Sequence, residues 1–416
     1  MHMKPSALVA LSLAAAVHGP AAADAVLPAH EHWITSWYAA PQPAWDGRFL
    51  LPMNVPTSLN KQSLRETVRL SAGGQRIRLV FSNRYGREPV RLGEVQVGPA
   101  DGSSPSRSLH FSGEKEASIA PGAVLISDPV ALELAPLAQL AVTSWLPAHT
   151  TVQSFHWGGQ QTMQLTDGNA LAAPRFTQGT VIQGRLFLSS VLVEAPERAR
   201  TVVAFGDSIT DGNGSTPDAD RRWPDFLAQR LVHDGTAVAN AGISGARLLK
   251  DGMGQSALAR FEMDVLSQPG VSDVIVMLGT NDIGWPGSPF APAEPAVSFD
   301  ALVAGYRQLA AAAHARGIHI TVSTLPPFEG ALEDTPYAGH YSLDKDRMRN
   351  RVNRWIRTAG LFDAVVDFDK VLRDPARPQR LRAEFDSGDH LHPGDAGYRA
   401  MAAAVDLTQL RREAAR

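Results

Sequence analysis

Four short polar motifs contain residue types that are suited to nucleophilic catalysis. They span residues 206–212 (GDSITDG), 240–245 (NAGISG), 279–282 (GTND) and 389–393 (DHLHP). The hydroxyl of Ser208, in the first motif, becomes a strong nucleophile when an imidazole such as that of His392 removes its proton. The glycines of the second motif let a backbone N–H approach a ligand closely, and the amide of Asn281 is a neutral donor. Each motif taken alone also fits a turn, a helix cap or a solvated surface loop.

The stretch that contains these motifs alternates strands with helices. Apolar runs predict strands at residues 201–205, 237–240, 273–278, 318–323 and 364–368. The clearest helix is predicted at residues 299–316, with Ser298 as its N-cap and Gly317 at its end. Such alternation predicts a parallel sheet covered by helices on both faces, with ligands bound at the carboxyl ends of the strands. Three motifs directly follow predicted strands, and the fourth precedes a C-terminal helix.

The order of the four motifs resembles that of the SGNH (GDSL-type) hydrolases, which are named for Ser, Gly, Asn and His in four sequence blocks. The matching residues are Ser208, Gly245, Asn281 and His392, with Asp389 three positions before the histidine. The resemblance implies an α/β fold, a three-layer α/β/α sandwich with a parallel sheet. It also implies that Ser208 is the nucleophile, His392 the base and then the acid, and Asp389 the group that orients the imidazole. The N–H groups of Ser208 and Gly245 and the side-chain amide of Asn281 would form the oxyanion hole.

The reaction that this resemblance implies is hydrolysis of a carboxylic ester through an acyl-enzyme, with no cofactor and no metal. A metal site made of Asp389, His390 and His392 is the alternative interpretation of the fourth motif. That site would leave the serine and asparagine motifs without a purpose, and no further ligands cluster beside it. We therefore expect His390 at the rim of the pocket and a structural role for Asp207.

Three further histidines have no motif around them. They are His149, His156 and His340. We expect none of them to take part in the chemistry.

The first half of the chain has the pattern of β structure. Residues 66–70 and 76–81 predict a hairpin with a turn at 72–74, and further short apolar runs point to a sandwich or open barrel. Residues 33–42 (WITSWYAAPQ) and 82–86 (SNRYG) resemble the N-terminal part of larger bacterial SGNH members. Those members carry a β-sandwich ahead of the hydrolase domain and are grouped with aryl- and acylesterases found near xylan-degrading systems. We accordingly predict a β-sandwich domain at residues 24–196 and a catalytic domain at 197–416.

The N-terminus has the pattern of a signal peptide, predicted at residues 1–23. Lys4 is followed by an apolar run at 7–17 and by small residues at 21–23. This pattern predicts an exported protein, periplasmic or secreted. No later stretch has the length of apolar sequence that a transmembrane segment requires.

Composition excludes several classes of function. Lys and Arg total 39 against 42 for Asp and Glu, which argues against a nucleic-acid partner because that needs a concentrated basic surface. The chain has no cysteine, so thiol catalysis, thiolate zinc sites and iron–sulfur clusters are ruled out.

Two long loops, at residues 283–297 and 326–344, contain aromatic side chains that would stack on sugar rings or aryl groups, or would cover hydrophobic core. With the family context, they favour release of short acyl groups such as acetyl from polysaccharide or aryl esters. A lipase, lysophospholipase or thioesterase with the same site is the alternative. A third hypothesis is a carbohydrate-binding protein with vestigial catalytic residues.

Overall fold

The computed structural model describes residues 31–173 and 175–410, so the predicted signal peptide lies outside the described residues. The strands are β1 (Trp33–Tyr38), β2 (Gln42–Pro43), β3 (Ser58–Arg69), β4 (Gly74–Ser82), β5 (Val90–Leu92), β6 (Val95–Pro99), β7 (Arg107–Ser108), β8 (Ala117–Ile119), β9 (Val124–Ile126), β10 (Val130–Leu134), β11 (Gln139–Thr151), β12 (Ser154–Asp167), β13 (Thr180–Leu186), β14 (Leu188–Glu194), β15 (Arg200–Gly206), β16 (Thr236–Gly242), β17 (Val271–Met277), β18 (His319–Ser323) and β19 (Ala364–Val366). The helices are α1 (Ser208–Asp211), α2 (Trp223–Leu231), α3 (Ala257–Phe261), which continues as a π-helical turn (Glu262–Leu266), α4 (Thr280–Gly284), α5 (Phe299–Ala315), α6 (Leu343–Thr358), α7 (Phe368–Leu372) and α8 (Asp395–Ala404).

Two large antiparallel sheets and a small two-stranded one, β5-β8, form the described first half of the chain. One has the strand order β1-β14-β4-β10, with β9 beside β4, and the other has the order β13-β12-β3-β11-β6-β7, with β2 beside β12. Alternate side chains of both sheets, such as Leu79 of β4 and Val142 of β11, are buried in one shared core. This period-two burial is what places two sheets face to face. The predicted β-sandwich is therefore confirmed.

The predicted hairpin between residues 66–70 and 76–81 is wrong. Strand β3 pairs with β11 and β12, whereas β4 pairs with β14, β10 and β9 in the other sheet. The turn between them crosses from sheet to sheet, and Ser36 of β1 holds it by bonds to Ser71 and Ala72. A Cβ on Gly73 would lie 2.2 Å from the carbonyl oxygen of Leu134, so this glycine permits close backbone packing, not a hairpin turn.

A parallel sheet forms the second half, with the strand order β16-β15-β17-β18-β19. Helices α3, α5 and α6 cover one face of it, and α2, α7 and α8 cover the other. All five predicted strands are present, and the three-layer α/β/α fold is confirmed. The longest predicted helix is present as α5, where Ser298 accepts a hydrogen bond from the N–H of Ala301 and Gly317 has a φ of +67°.

Strand β1 joins the sandwich to the α/β layer. The N–H of Thr35 donates to Thr201 Oγ1 at 3.0 Å, and the hydroxyl of Tyr38 donates to Asp264 at 2.7 Å. These groups are buried, and the residues from His32 onward form one compact unit. The predicted boundary at residues 196/197 falls between β14 and β15 and stays a prediction. Within residues 31–173 and 175–410, no helix combines the length and the apolar character of a membrane span.

Candidate active site

Ser208 lies at the turn where β15 passes into α1. The carboxylate of Asp207 caps this helix by accepting a hydrogen bond from the N–H of Ile209 at 3.1 Å. Gly206 makes the turn possible because a Cβ at that position would lie 2.1 Å from Thr210 Oγ1. The hydroxyl of Ser208 is thus held at the carboxyl end of the parallel sheet, where the motif order predicted it.

Asp207 has a structural environment, as the N-cap of α1. Its side chain is buried, with one oxygen bonded to Ile209 N and the other without a hydrogen-bond partner. Burial raises the pKa of Asp207 to about 7, although the bond from Ile209 and the nearby His392 oppose this shift.

His392 links the serine to Asp389. Its Nε2 lies 2.8 Å from Ser208 Oγ, and its Nδ1 lies 2.6 Å from Asp389 Oδ2. The other carboxylate oxygen of Asp389 accepts bonds from the N–H groups of Leu391 and His392, at 2.9 and 2.8 Å. Burial by itself would raise the pKa of Asp389, but the imidazole and these N–H groups lower it well below its usual range. Asp389 is therefore ionised near neutral pH and lies within hydrogen-bond distance of the imidazole.

Gly245 and Asn281 lie beside the serine in the same cavity. Gly245 has a φ of +69°, and a Cβ there would lie 2.3 Å from Met253 Sδ and 2.9 Å from the ring of Trp285. The amide of Asn281 donates to the carbonyl of Ala246 at 3.0 Å, which leaves its second N–H for another acceptor.

Asp282 ties the second motif to the third. Its carboxylate accepts hydrogen bonds from the N–H groups of Leu248 and Leu249, at 2.7 and 3.0 Å. This clamp fixes the loop that carries Gly245 relative to the helix that carries Asn281. This aspartate belongs to the GTND motif, where no local pattern distinguishes it from a turn residue.

The cavity over the serine has a volume of about 170 Å³. It is lined by Leu51, Trp157, Ser208, Asn213, Ser244, Gly245, Met253, Asn281, Trp285, Phe290, Leu332, Tyr337, His340, Leu391 and His392. Two of these residues, Leu51 and Trp157, come from the first half of the chain. The sandwich therefore supplies part of the wall of the cavity.

The two aromatic loops contribute to this cavity in part. Trp285 stacks on Phe290 at 4.9 Å between ring centroids, and Phe290 contacts Tyr337 at 5.5 Å. These three rings line the cavity, whereas Phe328 is buried in the core of the α/β layer and Tyr341 packs against that core. Some aromatic side chains of these loops thus line the cavity, and others cover hydrophobic core.

His156, for which no role was expected, joins the sandwich to the serine motif. Its Nδ1 lies 2.9 Å from the carbonyl oxygen of Ala40 and its Nε2 lies 3.0 Å from Asp211 Oδ1, all of them buried. A carbonyl oxygen can only accept, so Nδ1 carries a proton and donates it. The other oxygen of Asp211 accepts from the N–H and hydroxyl of Ser244, at 3.2 and 2.7 Å. Since Ser244 directly precedes Gly245, this chain of bonds connects the sandwich to the loop that carries Gly245.

His340 also lies in the cavity, contrary to the expectation that it is incidental. It is 1% exposed, and neither ring nitrogen has a hydrogen-bond partner. Burial, with a smaller contribution from the nearby Lys345, lowers its pKa to about 3, so the ring is neutral near pH 7. No local sequence signal marks this residue, because the cavity brings it to the serine from a distant loop.

His390 pairs with a different carboxylate from His392. Its Nδ1 lies 2.5 Å from Asp386 Oδ2, and its side chain is 40% exposed. His149 lies exposed on β11. In the described part of the chain, no group of three or more His, Asp or Glu side chains is arranged to hold a metal ion.

Residues 204–400 match the GDSL-like lipase/acylhydrolase family. No curated protein matches the chain. Similar solved structures include an acetyl xylan esterase from Geobacillus stearothermophilus, with 24% identity and a TM-score of 0.37 over 52% of this chain and 97% of that one. A putative acylhydrolase from Bacteroides fragilis has 19% identity and a TM-score of 0.38 over 52% of this chain and 89% of that one.

The family match covers all four motifs, from the end of β15 into α8. Residues 204–400 therefore form a GDSL-like lipase/acylhydrolase domain.

Proposed function

We propose that this domain hydrolyses carboxylic esters with Ser208 as nucleophile, His392 as base and Asp389 as the orienting group. The observation that carries the proposal is the continuous pair of contacts from Ser208 Oγ to Nε2 and from Nδ1 to Asp389, at 2.8 and 2.6 Å. In this proposal Asp389 fixes the tautomer of His392, because a carboxylate beside Nδ1 keeps the proton there and leaves Nε2 free to accept one.

In acylation, Ser208 Oγ attacks the ester carbonyl as His392 Nε2 takes its proton. The C–O bond to the alcohol then breaks, and the imidazolium returns the proton to the leaving oxygen. In deacylation, the same nitrogen takes a proton from water as the water oxygen attacks the acyl carbon. The bond from the acyl carbon to Ser208 Oγ then breaks, the imidazolium returns the proton to Oγ, and the acid is released. Asp389 stabilises the imidazolium in both halves of the cycle.

The oxyanion would be bound by three donors, namely the N–H groups of Ser208 and Gly245 and the amide of Asn281. Each lines the same cavity. Loss of one such donor lowers turnover by roughly 100- to 1,000-fold in related chemistry. The bond from Asn281 to the carbonyl of Ala246 would fix the amide before substrate binds.

The size of the cavity favours a short acyl group such as acetyl. Its volume of about 170 Å³ is below the roughly 300–1,000 Å³ of sites that enclose drug-sized ligands. Met253 and Trp285 close the space beside Gly245. The remaining aromatic wall suits a sugar ring or an aryl group as the alcohol part. The export predicted from residues 1–23 would bring the enzyme to polysaccharide substrates.

A lipase, lysophospholipase or thioesterase activity is the second candidate. The observation in its favour is the largely apolar wall, which includes Leu51, Leu332 and Leu391 and would contact a longer chain.

Turnover of p-nitrophenyl acetate and p-nitrophenyl octanoate distinguishes the two. We expect the larger kcat/KM for the acetate, together with release of acetate from acetylated polysaccharide. A preference for octanoate would contradict the short-acyl proposal. Ser208→Ala should abolish both activities and labelling by a fluorophosphonate, whereas Ser103→Ala, at an exposed serine, should change neither. A folded parent protein whose serine is not labelled would refute the esterase mechanism.

A further inference from the structure

A second cleft, of about 320 Å³, lies on the sheet that contains β3, β11 and β12. Its walls are polar, and its lining includes Arg65, Thr67, Gln139, Ala141, Gln164 and Arg175. It shares no lining residue with the cavity over Ser208.

The strand register explains why a cleft forms there. Arg65 lies directly opposite Gln164, and Thr67 lies opposite Ala141. Opposed residues of neighbouring strands present their side chains on the same face of the sheet. The small side chains at positions 67 and 141 form a low floor, and the longer side chains of Arg65 and Gln164 rise beside it.

The cleft contains two guanidinium groups, those of Arg65 and Arg175. Among the described residues, neither Arg65 nor Arg175 forms an ion pair, and Arg65 has one long hydrogen bond, to the carbonyl of Ala173 at 3.4 Å. Partial burial and the neighbouring charge of Arg175 both lower the pKa of Arg65. A bound anion would relieve both effects.

One carboxylate, that of Asp218, also lines the cleft. It accepts bonds from the N–H and hydroxyl of Thr162, at 2.7 and 3.0 Å. Both of its oxygens therefore have partners in the sheet, and the two arginines leave the cleft with an excess of positive charge.

We propose that this cleft binds a carboxylate-bearing sugar, a hexuronate, within a polysaccharide. Guanidinium groups bind carboxylates in a two-pronged, planar geometry. Gln164 and Thr67 present an amide and a hydroxyl of the kind that bonds to sugar hydroxyls. The amide of Gln139 donates to Asp220 at 3.0 Å, which leaves its oxygen to accept from a sugar hydroxyl. The proposal rests on the proposed function in one respect: the cleft would hold the acidic polysaccharide whose ester groups Ser208 removes.

A short segment of the protein, residues 213–218, connects the cavity over Ser208 to the cleft. Asn213 lines the cavity over the serine, and Asp218, five residues later, lines the cleft. The intervening segment is fixed at both ends, since Tyr398 donates to the carbonyl of Asn213 and the N–H of Asp218 donates to the carbonyl of Gln160. One polymer chain could therefore contact both sites.

Calorimetric titration of the Ser208→Ala protein tests this binding without hydrolysis. The ligands are a xylo-oligosaccharide that carries one glucuronic acid, the same oligosaccharide without the acid, and inorganic phosphate. We expect the acidic oligosaccharide to bind at least roughly tenfold more tightly than the neutral one, because each charged hydrogen bond is worth about that factor. Adding Arg65→Gln and Arg175→Gln should remove the difference, and adding Arg91→Gln, at an exposed arginine outside the cleft, should keep it.

Three results would overturn the proposal. They are equal affinity for the acidic and neutral sugars, equal affinity for phosphate and the acidic sugar, and unchanged affinity in the double arginine variant. The outcome is independent of the esterase mechanism, since binding is measured without turnover. When Ser208 is intact, the two substitutions Arg65→Gln and Arg175→Gln should also leave kcat/KM for p-nitrophenyl acetate unchanged.

Discussion

The bond between His156 and Asp211 offers a sharp test of whether the sandwich takes part in catalysis. His156→Leu would remove the ring nitrogen at 3.0 Å from Asp211 Oδ1 and leave that buried oxygen without its partner among the described residues. A hydrogen bond to a charged group contributes about 1.5–3 kcal/mol. If this bond holds Ser244 and Gly245 in the position that the transition state requires, the same free energy is lost from transition-state stabilisation. The value of kcat/KM then falls roughly 10- to 150-fold.

The assay measures kcat and KM on p-nitrophenyl acetate, together with inhibition by a boronic acid that forms a tetrahedral adduct on the serine. We expect the fall to appear mainly in kcat, and the inhibition constant to weaken by a similar factor, because both depend on the proposed contact of Gly245 with the developing oxyanion. His156→Gln keeps an amide donor and should recover part of the loss.

His149→Leu is the matched control, since His149 is an exposed histidine on the same sandwich. The reasoning is refuted if folded His156→Leu retains kcat/KM within about twofold of the parent, given that the expected loss starts near tenfold. An equal fall in His149→Leu would refute it as well.

Three further predictions concern the site itself. Asp389→Asn should lower kcat by roughly 10⁴-fold in steady-state assays, because an amide no longer fixes the tautomer of His392; a fall below about tenfold would contradict its assigned role. Asp207→Asn keeps the cap acceptor but never ionises. Because the pKa of Asp207 is raised to about 7, the folded parent loses stability as pH rises from about 4 to 7. In denaturant unfolding, the free energy of unfolding of the variant relative to the parent should therefore increase over this range, by on the order of a few kcal/mol. A constant difference between pH 4 and pH 8 would contradict the shift. His340→Leu removes two buried ring nitrogens that have no partner among the described residues, so it should raise the midpoint of thermal unfolding. It should also raise KM for p-nitrophenyl acetate, because the ring lines the cavity. Lower stability with unchanged kinetics would show that the ring serves only to fill space.

The parallel sheet was predictable because its strands are buried on both faces and therefore appear as continuous apolar runs. The helix start at Ser298 and its end at Gly317 follow from local chemistry, since a cap needs a side-chain oxygen and a positive φ favours glycine. The polar motifs at the strand ends likewise needed no long-range information. Their order along the chain was enough to place them at one edge.

Other features depend on contacts between distant parts of the chain. The turn before Gly74 has the composition of a hairpin, but nothing local says that the next strand joins the other sheet. His156 meets Ala40 from 116 positions away, and Asp211 from 55 positions away. His340 likewise reaches the cavity from a loop with no motif of its own. Such side chains are recognisable only when the fold has brought their partners together.

Because Leu51 and Trp157 line the cavity, the first half of the chain forms part of the candidate site. Gln42 and Trp45 both donate to the carbonyl of Met253, at 2.9 and 2.8 Å, and Met253 packs against Gly245. The predicted boundary at residues 196/197 would thus divide the sequence at a point where the two sides remain joined at the cavity. Recombination that exchanged the first half for an unrelated sandwich would reshape substrate selection even if every residue of the four motifs were retained.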